Sequence, residues 1–351
     1  MKLQQTSPQT RLSFHQFFLK ANKALLMTLM FAFIATMSFV SCKDDDDENG
    51  AVGDTEFKQK MRDFVIGISQ YAKTTNPNFN IIPQNGIELV SSNGDNSGAP
   101  HTAYLNAIDA NGQEDLWYGY DNDDQATPND VRTYLKDLLE ISKKAGNTIL
   151  VTDYCSTTSN IEDSYLQNSN AGYVSFAATQ RELNIIPGFP KPIHGENNAV
   201  VTSLRQVKNF LYLINPVDFP TKTDFINAVK ATNYDLLIMD LFFSDGTAFT
   251  ESEVTQLKSK ANGGKRLVIS YMSIGEVEDY RYYWQAAWNT TKPSWMDAEN
   301  PDWPGNFKVK YWDPEWQSII FGNDQSYLKK IVNAGFDGVY LDIIDAFEYY
   351  E

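Results

Sequence analysis

Carboxylates and amides recur where the apolar runs of this 351-residue chain stop. Gln84 and Asn85 follow Ile81-Ile82-Pro83, Asp153 follows Ile149-Leu150-Val151-Thr152, Asp240 follows Leu236-Leu237-Ile238-Met239, and Asp342 follows Val339-Tyr340-Leu341. Glu114, Arg181, Asn215 and Glu276 close shorter stretches. If such runs are parallel strands of one barrel, their ends converge on one face and the side chains there can act together. Two carboxyl groups, one ionised and one protonated, are what acetal cleavage needs. The first meets the cationic carbon and the second protonates the leaving oxygen. Taken singly, each position also reads as a helix cap or a loop salt bridge. The array around one rim favours chemistry.

Aromatic residues give the second signal. Six of the seven Trp (284, 288, 295, 303, 312 and 316) fall in one 33-residue stretch, with Tyr280, Tyr282, Tyr283 and Tyr311 among or beside them. Trp117, Tyr118 and Tyr120 follow Glu114. Rings beside carboxylates suit sugars, whose C–H faces pack on aromatics while their hydroxyls bond acids and amides. The plainer reading is that many of these rings fill the core of a large loop.

Other chemistries find little footing. His15, His101 and His194 have no metal-ligand spacing, so neither a metal nor another cofactor is expected. Gly263-Gly264-Lys265 lacks the P-loop frame, no GxGxxG follows a strand, and no GxSxG elbow occurs. The formal net charge of −16 disfavours nucleic acid and anionic lipid as partners.

The elements that would carry these residues alternate as βα units. Phe57, Met61, Phe64, Ile68 and Tyr71 share a helical face, and residues 79–83 read as a strand. A helix at 103–108 leads to a short strand at 114–118. A helix capped by Asn129 or Asp130 and closed by Gly146 follows, then a strand at 148–153, a helix at 160–170 and a strand at 173–178. Residues 186–205, rich in Pro, Gly and Asn, read as a linker between two halves. The rhythm resumes with strands at 210–214, 235–241, 266–272 and 339–344 and helices at 223–231, 250–260 and 315–334. Thr250 and Glu253 form a capping box. Eight strands, most followed by a helix, predict a (β/α)8 barrel of α/β class, with a doubly wound open sheet as the alternative.

The start of the chain reads differently. Residues 1–41 hold four cations, no acidic residue and the apolar run from Ala24 to Val40, the pattern of a secretory signal. Phe39-Val40-Ser41-Cys42 resembles a lipobox, with Cys42 as the lipid-bearing residue; an ordinary signal peptide with a chance Cys is the alternative. Residues 42–54, opening Lys43-Asp44-Asp45-Asp46-Asp47-Glu48, read as an acidic tether. The expectation is an outer-membrane lipoprotein, held at the membrane by lipid alone and monomeric. Its mature part, 25 cations against 45 acidic groups, carries a net charge near −20.

Three strings resemble glycoside hydrolase family 114, the endo-α-1,4-polygalactosaminidase-like barrels also labelled cysteinyl-tRNA synthetase-related. They are Tyr271-Met272-Ser273-Ile274-Gly275-Glu276 with Glu278-Asp279-Tyr280-Arg281, then Val309-Lys310-Tyr311-Trp312-Asp313, then Gly335-Phe336-Asp337-Gly338-Val339-Tyr340-Leu341-Asp342-Ile343-Ile344-Asp345-Ala346. Ile81-Ile82-Pro83-Gln84-Asn85-Gly86 and Ile108-Asp109 with Glu114-Asp115-Leu116 resemble the same family's second half. The order is exchanged, which implies circular permutation of a domain at 55–351, with barrel strands 5–8 preceding strands 1–4; a truncated gene is the alternative. The resemblance implies Asp342 as nucleophile and Glu114 as acid/base, Asp115 being the neighbouring choice. It implies Asp240, Glu276, Asp345, Gln84, Asn85, Asp153, Trp117, Tyr271 and Tyr311 as substrate-side residues. It further implies an endo-acting hydrolase of an α-linked, amino-sugar-containing polysaccharide. The competing reading is a non-catalytic glycan-binding lipoprotein on the same scaffold. Export, acidity and the lack of an ATP-binding signature argue against the synthetase label.

Overall fold

The computed structural model describes residues 52–351, with side chains from residue 56. The expected signal segment, Cys42 and most of the expected tether lie outside the described residues. Helix α1 (Val52–Thr75) starts inside the stretch expected as tether and buries Met61, Phe64, Val65, Ile68 and Ala72 along one face.

Eight described strands pair in parallel: β1 (Asn80–Pro83), β2 (Ala110–Glu114), β3 (Thr148–Tyr154), β4 (Val174–Ala178), β5 (Phe210–Tyr212), β6 (Leu236–Asp240), β7 (Leu267–Ser273) and β11 (Gly338–Asp342). Helices α2 (Thr102–Ala107), α3 (Asn129–Lys144), α4 (Thr158–Ala171), α5 (Lys222–Lys230), α6 (Glu251–Leu257), α7 (Pro314–Ile320) and α8 (Tyr327–Asn333) alternate with them. The result is a mixed α/β fold with parallel sheets. One sheet runs β1-β11-β7-β6-β5 and the other β2-β3-β4. Chain-consecutive strands are neighbours in both, without the reversal of order that marks a doubly wound sheet. The first and last strands are neighbours too, with Ile82 opposite Tyr340.

Hydrogen bonds cross both seams between the sheets. Gln84 and Gly112 form a parallel bridge, Asp109 N–H donates to Ile81 O and Asn85 N–H donates to Gly112 O, both at 2.9 Å. At the other seam the amides of Ile214 and Asn215 donate to Leu183 O at 3.1 and 3.3 Å. Side chains reach further: Tyr212 on β5 donates to Gln84 Oε1 at 2.9 Å, and its ring packs edge-on against Tyr340, with centroids 5.2 Å apart. β5 and β1 are the opposite edges of the five-stranded sheet, so the sheet curls far enough for a side chain on β5 to reach the residue that follows β1.

Three expectations need correction. The strand expected at 114–118 lies at Ala110–Glu114, so Glu114 ends it instead of opening it. Ala110-Asn111-Gly112-Gln113 has no apolar run, yet every residue of it is buried, whereas the apolar Leu116-Trp117-Tyr118 packs beyond the strand. The single helix expected at 315–334 is two, α7 and α8, broken where Gly322 takes a φ of 98°. Helix α3 starts after Pro128 without a side-chain cap, so neither Asn129 nor Asp130 plays that part. The capping box of Thr250 and Glu253 is present in full.

Residues 186–205 connect β4 to β5 and are pinned both to the start of β6 and to helix α4. The Asn197 amide bonds Asp235, which pairs with Lys260 at 2.8 Å with both side chains fully enclosed, and the His194 ring stacks on Tyr165 at 4.5 Å. The aromatic stretch folds as an antiparallel sheet of β8 (Glu276–Glu278), β9 (Met296–Glu299) and β10 (Asn306–Val309). Trp284, Trp288, Trp295 and Trp316 pack in succession with centroids 5.3 Å apart. Most of the expected aromatic platform is therefore the core of this insertion, while Tyr280 and Trp303 stay exposed.

Gly112 is required by a close approach, not by its backbone angles: a Cβ there would collide with the Tyr340 hydroxyl. Gly112→Ala is expected to lower stability by roughly 1–3 kcal/mol through overpacking. Thermal or urea unfolding checks this; an unchanged melting temperature would show that Tyr340 can move aside.

Candidate active site

Strand alternation sets the inner face. On β2, Gly112 meets Tyr340 and Glu114 lies two residues on; on β11, Tyr340 is followed two residues on by Asp342. Both carboxylates are thus the last residues of inward-facing pairs. Each is followed by a residue in the left-handed region, Asp115 at φ 58° and Ile343 at φ 58°, and Asn85, two residues past β1, has φ 60°. For β-branched Ile343 this conformation is strained, at a cost on the order of 1–3 kcal/mol. The abrupt turn stops each strand at its carboxylate.

Glu114 is held from two sides. Asn85 Nδ2 donates to Glu114 Oε2 at 3.0 Å while Glu114 N–H donates to Asn85 Oδ1 at 3.0 Å. The Tyr154 hydroxyl, from the end of β3, donates to Glu114 Oε1. Asp342 accepts from the Tyr271 hydroxyl at 2.6 Å. Burial first, and the nearby carboxylates next, hold the Tyr154 and Tyr271 phenols well above their ordinary values, so both stay donors. Tyr212 and Tyr340, on the floor between them, each feel the charge of both Asp342 and Glu114. The two carboxylates therefore face one inner space.

Beside Asp342 lies Asp345, in the 3₁₀ turn Ile344–Tyr349. Burial pushes its carboxyl up, and the negative charge of Asp342 pushes it further. Glu348 is pushed up by burial and then by Asp345.

The other expected residues divide by position. Gln84, 2% exposed, accepts from Tyr212 and lies on the floor. Asp240 joins Arg281 at 2.7 Å, and Arg281 also grips buried Glu278. Burial pushes Asp240 up while Arg281 opposes it. Glu276 is fully enclosed and accepts from Asn300, Asn306 and Tyr349, fastening the aromatic insertion to the 3₁₀ turn. Asp153 is fully enclosed and accepts from the amide of Trp117 and from Ser164 and Asn168 on α4, so it faces the helix layer. Trp117 donates to Asn168, and fully buried Tyr311 donates to Phe57 O. Glu276, Asp153, Trp117 and Tyr311 thus each have an internal partner. Sequence reading passed over Tyr154 as a site residue, since nothing local distinguishes a strand-ending Tyr from core. Arg181 stood out only as one polar strand end among many. Asp115, the alternative to Glu114, is held by the Arg181 guanidinium at 3.0 and 3.3 Å.

The parallel α/β scaffold thus presents two carboxylates from strand ends, beside an aromatic insertion. Residues 208–350, β5 through the final 3₁₀ turn, match the family model of glycoside-hydrolase family GH114, so this segment is similar to that family. An uncharacterized protein of Deinococcus radiodurans is 44% identical over 123 residues, 35% of this chain and 37% of the relative. One of Methanocaldococcus jannaschii is 44% identical over 128 residues, 36% of this chain and 34% of the relative. One of Thermotoga maritima is 37% identical over 142 residues, 40% of each chain. The chain thus spans little more than a third of the length of these curated relatives.

The raised carboxyls give a stability prediction. A carboxyl whose value is higher in the folded state than in the unfolded contributes stability fully at pH below the ordinary carboxyl range and loses it as pH rises through the raised value. The melting temperature should therefore fall from about pH 5 toward alkaline pH, and Glu348→Gln should flatten that fall, gaining most at the alkaline end. Parallel melting curves against pH for the two proteins would contradict the assignment.

Proposed function

We propose that this protein is a lipid-anchored glycoside hydrolase that cuts within an α-linked, amino-sugar-containing polysaccharide. Asp342 is the nucleophile and Glu114 the acid/base. The observation that carries this reading is the pairing of Asp342 and Glu114 across one inner space, each with a phenol donor. Glu114 gives its proton to the glycosidic oxygen as the C–O bond breaks, and Asp342 takes the anomeric carbon. Glu114 then removes a proton from the water that displaces Asp342. A protonated Asp345 would leave Asp342 as the charged member of its pair. Asp240 and the acidic turn around Asp345 would receive hydroxyls or amines, and the exposed Tyr280 ring a sugar face.

The scaffold in this reading is a closed (β/α)8 barrel in circularly permuted order, monomeric, with barrel strands 5–8 first. Hydrogen bonds at both seams and the Tyr212–Gln84 contact support closure. The place of β11 between β7 and β1 supports permutation. Residues 1–41 as signal and lipidation at Cys42 would put the enzyme outside the cytoplasm, on the outer membrane, with residues 43–51 as spacer.

The test is release of reducing ends from a panel of glycans that includes de-acetylated galactosaminogalactan. Asp342→Asn should abolish release while the melting temperature is kept, and Glu114→Gln should slow it roughly 10²–10⁴-fold. A fully active Asp342→Asn protein would sink the proposal. Glycan affinity that survives Asp342→Asn, with no reducing ends from the wild type, would point to a binding protein instead.

A further inference from the structure

Tyr154 and Arg181 stand outside the pair of carboxylates, yet both converge on Glu114. Tyr154 is the last residue of β3, 2% exposed, and its hydroxyl donates to Glu114 Oε1. Asn85 occupies the other oxygen, so the carboxyl plane is fixed by one donor from each flanking strand. The Tyr154 ring is itself clamped. The Arg181 guanidinium lies over its face, 3.8 Å from the centroid. Arg181 in turn has no freedom: it donates to Asp115 at 3.0 and 3.3 Å, to Asp123 at 2.7 Å and to Gly119 O at 2.9 Å. It therefore ties the segment after β4, which carries it, to the loop after β2 and to the end of β3.

We propose that Tyr154 is a positioning residue for Glu114 and that Arg181 acts through it, holding the phenol where Glu114 can present its proton to a leaving oxygen. The inference rests on the assignment of Glu114 as the acid/base. A planar guanidinium suits the clamp because it stacks on a ring and grips a carboxylate with two parallel bonds at once, which the point charge of a lysine cannot do. Without the phenol, Glu114 keeps only Asn85 and can rotate away. Misplacement of this kind slows the step that needs the acid without altering how substrate is held.

The experiment compares wild type, Tyr154→Phe, Arg181→Lys, the double variant and Glu114→Gln on two substrates: a polysaccharide the wild type cleaves, and an oligosaccharide of it with an activated aryl leaving group. The aryl group departs as its phenolate, carrying the electron pair of the broken C–O bond, and needs no proton from Glu114. Tyr154→Phe should lower kcat on the polysaccharide roughly 10- to 100-fold, the loss of one hydrogen bond to the carboxylate that forms as Glu114 gives up its proton, with KM little changed. On the aryl substrate its kcat/KM should stay within about 3-fold of wild type, a margin near 0.65 kcal/mol. Arg181→Lys should show the same split, and the double variant should be no slower than Tyr154→Phe, because the two act in one line. The proposal is overturned if Tyr154→Phe matches wild type on the polysaccharide, or if both substrates lose equally, as a merely structural role would require. Should Arg181→Lys fail to fold, Tyr154→Phe, which keeps the ring, still decides. If Glu114→Gln cuts the polysaccharide as fast as wild type, the underlying assignment has failed; if only Tyr154→Phe does, this inference alone has.

Discussion

The Asn85–Glu114 contact lies where the two parallel sheets meet. The backbone of β1 runs on into Gln84 and Asn85, which bond Gly112 on β2, and the Asn85 side chain then closes a ring of hydrogen bonds with Glu114. One set of bonds thus joins the sheets and aims the carboxylate. Asn85 can do this because its φ of 60° turns the chain back across the seam, a conformation Asn tolerates better than most residues. A slip of one residue in this pairing would turn Glu114 away from Tyr340 and toward the helix layer. The candidate site therefore depends on seam register more than on any loop.

The same constraint explains the interior. Gly112 leaves room for the Tyr340 hydroxyl, and Tyr340 packs on Tyr212, whose hydroxyl is taken by Gln84. Three large side chains from β1, β5 and β11 thereby fill the space beneath the carboxylates. Close packing of this floor keeps Asp342 and Glu114 from sinking inward. It leaves their oxygens to donors at the strand ends: Tyr271 for one, Asn85 and Tyr154 for the other.

Much of this was legible in the sequence, and the failures have physical causes. Strands β3, β6 and β11 announce themselves as apolar runs because both of their faces are covered, and the polar residue that stops each run marks its end. Strand β2 is silent. Its buried positions are filled by Ala110, Asn111, Gly112 and Gln113, with Asn111 accepting from Ser142 and Gln113 donating to Asn85, so burial here leaves no hydrophobic signal. The aromatic stretch was legible as a unit but not in its parts. Composition cannot tell the enclosed Trp295 and Trp316 from the exposed Trp303, since the difference is one of tertiary packing: Trp295 packs against Trp316 of helix α7, while Trp303 lies in the turn between β9 and β10. Asp153 and Glu276 illustrate the same limit: each stands where a catalytic carboxylate could, and each is taken up by internal donors. Arg181 was visible as a polar strand end, but its grip on Asp115, Asp123 and Tyr154 spans up to 66 residues of sequence and has no local signature.

The distribution of charge compensation separates the two ends of the site. On the Glu114 side, Arg181 lies close enough to answer Asp115 and Asp123. On the Asp342 side, burial first and the neighbouring carboxylates next push Asp345 and Glu348 up, with Lys58 opposing at Glu348, so each holds its proton to a higher pH than an ordinary carboxyl. Arg281 is committed to Asp240 and Glu278. A cationic group entering beside Asp342 would replace those protons and relieve the repulsion, whereas a neutral sugar would have to hydrogen-bond to the protonated acids. Binding of a cationic sugar would accordingly be coupled to proton release from the Asp345 turn, and binding of a neutral sugar would not.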